Sequence, residues 1–337
     1  MSRLPTVHDV ARVAGVSRQT VSNVLNSPDI VRPDTRDRVR QAIDTLGYRP
    51  HASARRLRTQ KSSTIGIRLD PMVDGISGSI HDKFLHALTE QADALGLRVL
   101  LFTATGPEDE IRQFGRLIDG SDVDAFVLTS TFYGDPRTEW LIDHEQTFVT
   151  FGRPWGIDDM NDPMHAWVDV DGRAGVRAAT ESLLQRGLTR IGFLGWPVGS
   201  GTGDQRAAGW QDAMTFAGAD HLHSLREVAV DSVTSARDAS ARLLHAHPDL
   251  EAVVAASDSL ALGAVVQTRG LMPVIGFDNT PVSAAMGFSS VDQRLGDVAA
   301  GVLALLTGSE DPGPRHRLVT PELVLRSAHP HVVPDDV

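Results

Sequence analysis

The sequence predicts a small all-α domain followed by a larger α/β core of two doubly wound parallel-sheet subdomains. Before residue 49, apolar residues recur at helical spacing and glycines separate the helical stretches. After residue 62, short β-rich runs alternate with amphipathic helical stretches, and this alternation occurs twice. Basic residues are concentrated in the first part and acidic residues in the second. We therefore expect a helical head at 1–49, a linker at 50–61 and a core at 62–337.

The charge of the 337-residue chain is divided unevenly between these parts. Residues 1–61 hold 12 Arg or Lys and 5 Asp, a net charge of +7, whereas the remainder carries −18. A basic head on an acidic body indicates that the head meets a polyanion, although a solvated basic face is the alternative. The sequence has no cysteine, and we find neither a secretory signal nor an apolar run long enough for a membrane span. We therefore expect a cytoplasmic protein with no membrane partner.

The first two helical stretches predict a helix-turn-helix. Thr6 and Asp9 match a capping box in which the Thr6 oxygen accepts from a free amide, and Gly15 is placed to turn the chain. In this motif the second helix enters the major groove, and its first residues contact base edges or phosphates. We therefore expect DNA contacts from Thr6, Ser17, Arg18, Gln19, Thr20, Ser22 and Asn23. A small structural helical hairpin is the alternative.

Two further segments complete the head. Pro33 opens a third helix whose apolar pattern continues to Leu46, and Gly47 suits its C-terminal cap. The basic stretch RPHASARRLRTQK (49–61) has too little apolar content to pack by itself. Its functional interpretation is a short helix that folds on DNA, with Leu57 as a wedge at a minor-groove base step. A plain linker is the alternative.

The strand-like runs of the core fall into two groups. The first group contains IGIRL (65–69), RVLLFTA (98–104), DAFVLTS (124–130) and TFVTFG (147–152), and the second contains AWVDV (166–170), RIGFLG (190–195), EAVVAAS (251–257) and PVIGFD (273–278). Helical patterns between them imply parallel sheets wound in βαβ units, which bind ligands at the carboxyl ends of their strands. The cleft between the two halves is therefore the natural ligand pocket.

The head resembles the family of the lactose and purine repressors. The matching stretches are TVHDVARVAGVSRQTVSNVLN (6–26), VRPDTRDRVRQAIDTLGYRPHASARRL (31–57) and KSSTIGI (61–67). The resemblance implies that Arg18, Gln19 and Asn23 contact operator bases. It also implies that Ala54 and Leu57 lie in a hinge helix, with Leu57 at the intercalating position.

The core is similar to the periplasmic-binding-protein-like domain of that family, through RIGFLG…DQRAAGW, VVAASDSLALGA, PVIGFDN, SSVDQRLGD and ELVLRS. The resemblance implies an N-subdomain at about 62–163 and 292–320 and a C-subdomain at about 164–291 and 321–330. It also implies effector contacts from Arg206, Asp278, Asp171, Gln293, Arg153, Ser200 and Thr202. A surface or helix-capping role is the alternative for each of these residues. Phe84, Trp167 and Trp196 are candidates to stack on a sugar, with core packing as their alternative.

The function implied by the resemblance is that of a transcription repressor. It would bind a pseudo-palindromic operator as a homodimer and leave it when a small-molecule effector, a sugar or oligosaccharide, binds the core. A purine- or nucleoside-responsive regulator with corepressor sign and control by a protein partner are the alternatives. The glycine loop at 199–203 lacks the last glycine of a dinucleotide fingerprint, because Asp204 stands there, and no nucleophile elbow occurs. We therefore expect no enzyme activity, no cofactor and no metal.

Overall fold

The computed structural model describes residues 5–48, 62–69, 78–156, 160–308 and 315–326. The chain divides into two compact units between Ser62 and Ser63. The expected linker at 50–61, with Ala54 and Leu57, lies outside the described residues. In the described ranges, no helix is long and apolar enough to cross a membrane.

Within residues 5–48, the head contains three α-helices and confirms the predicted helix-turn-helix: α1 (Val7–Ala14), α2 (Arg18–Asn26) and α3 (Pro33–Leu46). Gly15 ends α1 with φ at 67°, a left-handed conformation that strains any residue with a Cβ. The chain can therefore turn from α1 into α2 within three residues. The three helices enclose a small apolar core of Val10, Ala11, Ala14, Val21, Val24, Val39, Ala42 and Tyr48.

The starts of the first two helices are both capped by side chains. Ser17 Oγ accepts from the amide of Thr20 at 3.0 Å, as the sequence predicts for α2. Thr6 forms the capping box with Asp9 that the sequence predicts for α1. Its hydroxyl and its amide both donate to Asp9 Oδ2, at 2.7 and 2.9 Å. The negative carboxylate is a stronger acceptor than a neutral group, and it also lies at the positive end of the helix.

The core contains two six-stranded sheets and confirms the predicted fold class. In spatial order, the first sheet contains β11 (His316–Val319), β5 (Trp167–Val170), β4 (Phe148–Phe151), β3 (Ala125–Leu128), β1 (Thr64–Arg68) and β2 (Arg98–Phe102). The second sheet contains β12 (Glu322–Val324), β10 (Ser289–Asp292), β9 (Val274–Phe277), β8 (Ala252–Ala255), β6 (Ile191–Gly195) and β7 (Arg226–Val228). All neighbouring strands are parallel except β12, which runs antiparallel to β10.

The strand β5 does not lie where the sequence analysis placed it. It pairs with β4 and β11, so it belongs to the first sheet, and the subdomain boundary expected near 164 is wrong for this strand. An apolar run indicates that a strand is buried, but it carries no information about which sheet the strand joins. The chain changes sheets after Val170, again after Asp292, and a third time between β11 and β12.

The helices of the core pack in pairs beside the two sheets. The first subdomain contains α4 (Gly78–Ala94), α5 (Pro107–Asp119), α6 (Pro136–Asp143) and α12 (Leu295–Thr307), in which α4 packs on α12 and α5 on α6. The second contains α7 (Gly172–Leu184), α8 (Gly201–Phe216), α9 (Val233–Ala246), α10 (Asp258–Thr268) and α11 (Pro281–Met286), in which α7 packs on α8 and α9 on α10. The loops at the carboxyl ends of the parallel strands are thereby left to carry polar side chains.

Candidate nucleic-acid interface and candidate ligand site

The outer face of α2 carries most of the side chains predicted to contact bases. Val21 and Val24 are buried in the head, and the opposite face of the helix presents Arg18, Gln19, Ser22 and Asn23. Gln19 Nε2 donates to Asn23 Oδ1 at 3.0 Å, which fixes the two amides relative to each other. Within the described part of the chain, the Arg18 guanidinium makes no hydrogen bond or ion pair, so its donors are available to a guanine edge.

The first turn of α2 holds two further predicted residues. The Ser17 and Thr20 hydroxyl oxygens lie 2.9 Å apart at the N-terminus of the helix, where backbone amides also point outward. Small hydroxyls at such a position suit a phosphate. The Thr6 hydroxyl is already engaged by Asp9, so a phosphate contact from Thr6 would have to share that bond.

In the core, Arg206, Asp278 and Gln293 come together although they are far apart in sequence. Arg206 lies in the second turn of α8, and Asp278 and Gln293 directly follow β9 and β10. Gln293 Nε2 donates to Asp278 Oδ1 at 2.6 Å, and Arg206 Nη1 lies 3.6 Å from that same oxygen. Arg206 Nη1 also donates to the carbonyl of Ala256, after β8, at 2.6 Å. The loops at the carboxyl ends of three parallel strands therefore meet at one guanidinium.

The Arg206 guanidinium is buried between aromatic rings, and its Nε–H has no hydrogen-bond partner within the described residues. Its carbon lies 3.7 Å from the centre of the Phe277 ring and 5.0 Å from that of Trp196. Arg206 Nε and Trp196 Nε1 are both buried, and neither has a hydrogen-bond partner within the described residues. A buried donor without a partner costs free energy, which a ligand oxygen would recover.

Burial controls the charges in this cluster. It raises the pKa of Asp278 to about 7, against the opposing effects of Arg206 and of the Gln293 hydrogen bond. Burial also lowers the pKa of Arg206, although Asp278 and Asp169 favour its charged form. Asp278 therefore titrates near neutral pH and can be either acceptor or donor there.

Arg153 reaches the same region from the first subdomain. Its Nε donates to Asp169 Oδ2 at 2.7 Å, and this carboxylate also favours the charged form of Arg206. Asp169 is a site residue that the sequence analysis missed. A signal was present, because Asp169 is a carboxylate inside the apolar strand AWVDV, close to its carboxyl end. Burial raises its pKa, and Arg153 opposes that effect.

Two of the predicted effector residues cap helices. Asp171 Oδ1 accepts from the amide of Ala174 at 2.9 Å at the start of α7, and Ser200 Oγ accepts from Gly203 at 3.3 Å at the start of α8. The capping interpretation describes what these side chains do in the absence of a ligand. Thr202 lies half-buried in the first turn of α8.

A buried hydrogen-bond network supports the loop that carries Asp278. Asp258, the first residue of α10, accepts from the amide and hydroxyl of Thr280, both at 2.7 Å, and from Ser290 Oγ at 2.6 Å. Ser257 donates to Asp231 beside it. Sequence analysis did not single out Asp231 or Asp258, although Asp258 lies within the stretch VVAASDSLALGA.

The three candidate aromatic residues behave differently. Phe84 is buried against Phe151, with ring centres 4.7 Å apart, and Trp167 donates its Nε1 to the carbonyl of Met160 at 2.7 Å. Both therefore serve packing. Of the three, Trp196 is the one that contacts the Arg206 guanidinium.

A cavity of about 370 Å3 lies in the first subdomain, beside the loops that follow β3 and β4. None of the predicted effector residues lines it. Its walls come from the loops after β3 and β4 and from α6, and none of these segments carries a ligand-binding motif that sequence reasoning could recognise. Among the described residues, no group of three or more His, Asp or Glu could hold a metal ion.

This geometry defines a class of protein: a regulator with a helix-turn-helix head and a two-subdomain, ligand-binding core. The family model for bacterial regulatory proteins of the lacI family matches residues 6–51. The model for periplasmic binding proteins and the sugar binding domain of the LacI family matches residues 74–305. The chain belongs to the LacI family of bacterial regulatory proteins, as the resemblance of its motifs predicts.

Individual relatives agree over nearly the whole chain. The HTH-type transcriptional regulator CelR of Thermobifida fusca is 32% identical over 310 residues, which cover 86% of this chain and 87% of that protein. The structure of the transcriptional regulator CelR–cellobiose complex matches with a TM-score of 0.68 at 27% identity, covering 96% of this chain and 100% of the other. The lac repressor dimer bound to operator and the anti-inducer ONPF shares the fold, with a TM-score of 0.78 at 23% identity, covering 96% of this chain and 98% of the other.

Proposed function

We propose that this regulator is a sugar-controlled repressor. Its head binds a pseudo-palindromic operator as part of a homodimer, in the cytoplasm, and a neutral sugar in the core releases it. The observation that carries the proposal is the buried Arg206–Asp278–Gln293 cluster with its unpartnered donor. A planar guanidinium beside a carboxylate and an amide suits vicinal hydroxyls, which both donate and accept. The relative CelR was solved with cellobiose, which supports a sugar as the ligand class.

Ligand binding and DNA binding are coupled because each changes the relative populations of two conformational states of the protein. A ligand that binds one state of the core more tightly shifts the protein toward that state, and release follows when this state binds DNA poorly. We assign residues 1–49 to DNA binding, 50–61 to the connection and the remainder to ligand binding and dimerisation. The cluster has the chemistry of a binding site, and we assign it no catalytic activity.

The proposal is tested by measuring binding of ligand and DNA on the same full-length protein. Neutral mono- and disaccharides, nucleobases and sugar phosphates are screened by thermal shift, where a ligand at 100 times its Kd adds about 2.7 kcal/mol to stability. A sugar hit that also lowers operator affinity supports the repressor. A hit that raises operator affinity would make the ligand a corepressor.

The residue-level part of this test compares two arginines. Arg206→Ala is expected to abolish the ligand-induced thermal shift, whereas Arg177→Ala, which removes an exposed arginine paired with Glu181 on α7, is expected to leave it intact. A sugar shift that survives Arg206→Ala would place the ligand elsewhere. No shift from any compound class, on protein that binds DNA, would favour a protein partner as the controlling signal.

A further inference from the structure

The cavity of the first subdomain is lined from two sides. One wall is the connection from β3 to α6, which contributes Phe132 and Asp135, followed by Glu139 in α6. Trp155, Asp162 and His165, which lie between β4 and β5 in sequence, contribute to the other wall. Its volume of about 370 Å3 lies within the range of small-molecule sites, about 300–1,000 Å3.

Three carboxylates and a histidine supply hydrogen-bond acceptors around this cavity. Asp135, Glu139 and Asp162 are carboxylates, and no Lys or Arg is among the described residues that line it. His165 is buried, and desolvation lowers its pKa to about 4, so it is neutral at physiological pH. The Thr150 hydroxyl donates its proton to the carbonyl of Gly152. Its oxygen can therefore only accept from His165 Nε2, which lies 3.2 Å away and acts as the donor. That leaves His165 Nδ1 as an acceptor, and it has no hydrogen-bond partner within the described residues.

An ion cluster holds the loop on one side of the cavity. The buried Arg137 guanidinium binds Asp135 at 2.6 Å and Glu110 at 2.9 Å, and it also donates to the carbonyls of Thr129 and Ser130. This ion cluster fixes the loop after β3 and neutralises Asp135. Glu139 and Asp162 are two further carboxylates of the lining, so the cavity suits hydroxyl donors better than phosphate.

The cavity adjoins the Arg206 cluster through one side chain, Trp155. The Arg153 guanidinium lies 4.7 Å from the centre of the Trp155 ring. Its Nε pairs with Asp169, whose charge also acts on Arg206. The same indole lies against Gly201 at the start of α8, where a Cβ would fall 2.1 Å from a ring carbon. Trp155 Nε1 is buried and has no partner within the described residues. An aromatic surface with a free donor therefore separates two adjacent polar sites.

We propose that this cavity is a second glycosyl-binding subsite, so that the effector is an uncharged oligosaccharide of at least two rings. One ring binds at Arg206 and Asp278, and the next ring lies in the cavity with a face on Phe132 or Trp155 and its hydroxyls donating to Glu139, Asp162 and His165. This proposal rests on the proposed function and assigns its ligand a size and a charge. Monosaccharides leave the cavity empty, and sugar phosphates meet its carboxylates.

The test is isothermal titration of the full-length protein with cellobiose, maltose, lactose, glucose, galactose and glucose 6-phosphate. At least one disaccharide is expected to bind about ten-fold more tightly than its monosaccharides and than glucose 6-phosphate. Phe132→Ala and Glu139→Gln are each expected to weaken that disaccharide about 3- to 10-fold and to leave monosaccharide binding unchanged. Glu90→Gln, which changes an exposed carboxylate on α4, is the matched control and should alter neither.

Two results would overturn the subsite and are separable from failure of the proposed function. A monosaccharide or glucose 6-phosphate that binds as tightly as the best disaccharide removes the need for a second ring. Disaccharide binding that is insensitive to both cavity variants, yet lost in Arg206→Ala, leaves the repressor proposal standing and the cavity without a role. Absence of binding by all six sugars would overturn both.

Discussion

Asp278 combines three properties that seldom occur together in one aspartate. Its backbone has a φ of 111°, its side chain is buried, and burial raises its pKa to about 7. A non-glycine residue at such a φ is strained, and strain of this kind persists only where the surroundings hold it in place. Here Gln293 binds the carboxylate, and Asp258 binds Thr280 two residues later. These contacts hold Asp278 in its strained conformation.

The raised pKa of Asp278 predicts proton-linked ligand binding. A ligand hydroxyl that donates to the carboxylate favours its charged form, so binding should release a proton near pH 7 and strengthen from pH 6 to pH 8. Titration calorimetry in buffers of different ionisation enthalpy measures that release. Asp278→Asn should abolish it. Proton release of equal size in Asp278→Asn would assign the titration to another group.

The raised pKa of Asp278 also affects the stability of the unliganded protein, which is expected to fall as the pH rises. An aspartate that titrates at about 3.9 when unfolded and at about 7 when folded binds its proton more tightly in the folded state. Its stabilising contribution is complete below about pH 3.9 and is lost as the pH rises through about 7. Ligand binding and unliganded stability therefore depend on pH in opposite directions.

Arg18 is expected to determine base preference in the head. Because its guanidinium is exposed on α2, Arg18→Ala should cost about 1–3 kcal/mol on the operator and relax preference at one symmetric position. The operator is first selected from random DNA, and affinities are then compared at fixed salt by fluorescence anisotropy. Arg40→Ala, which removes an exposed arginine from α3, is the control and should leave base preference unchanged. A uniform loss across all sequences would mean that Arg18 contacts only phosphate.

Sequence reasoning identified residues within motifs and missed residues defined by their surroundings. Arg206, Asp278 and Gln293 stand in ordered stretches that resemble a family, and the fold brings them into contact. Asp169, Asp231 and Asp258 have a role because of strands that neighbour them in space, and the sequence does not state which strands these are. Asp171 and Ser200 lie beside the site, yet as helix caps they satisfy their own backbone.

At the scale of elements, the start of α6 depends on an ion cluster. Arg137 is buried with Glu110 of α5 and Asp135 of the loop after β3, so it connects three segments by charge. Removing one member of a buried group leaves the others uncompensated, which costs more than the group contributes when complete.

Arg137→Met is therefore expected to lower the free energy of unfolding by about 3–5 kcal/mol. Arg177→Met is the matched control, because it removes an exposed ion pair between Arg177 and Glu181, one turn apart on α7. Such a pair contributes about 0.3–0.5 kcal/mol to stability. Urea denaturation of both variants gives the comparison. Equal losses in the two variants would show that the Arg137 cluster does not stabilise the loop.

Elements were predictable from sequence where local chemistry defines them. Gly15 marks the end of α1, and Ser17 and Pro33 mark the starts of α2 and α3. The structure places these helix boundaries at the same residues. Strands were located by their apolar runs, but β5 was assigned to the wrong sheet because pairing is a long-range property. The cavity was not predictable, because two loops and α6 form it, and the position of these segments depends on long-range contacts such as the Arg137 cluster.

At the scale of the whole molecule, Trp155 and Gly201 form a contact between the two halves of the core. Gly201→Ala places a Cβ 2.1 Å from the indole, so the ring or the helix must move. We expect ligand affinity to fall about ten-fold and operator release to need correspondingly more ligand. Gly296→Ala is the control, because a Cβ there meets no atom within 4 Å. Equal ligand affinity in the two variants would mean that ligand binding does not require this contact.

The three crossings of the chain between the sheets impose an order on its synthesis. The first sheet begins at Thr64, but its edge strand β11 ends at Val319, and α12, which packs on α4, lies just before it. A ribosome therefore completes nearly the whole second sheet before the first can close. Until α12 emerges, the part of α4 that packs on it remains exposed on the nascent chain, where it is a target for chaperones and for aggregation.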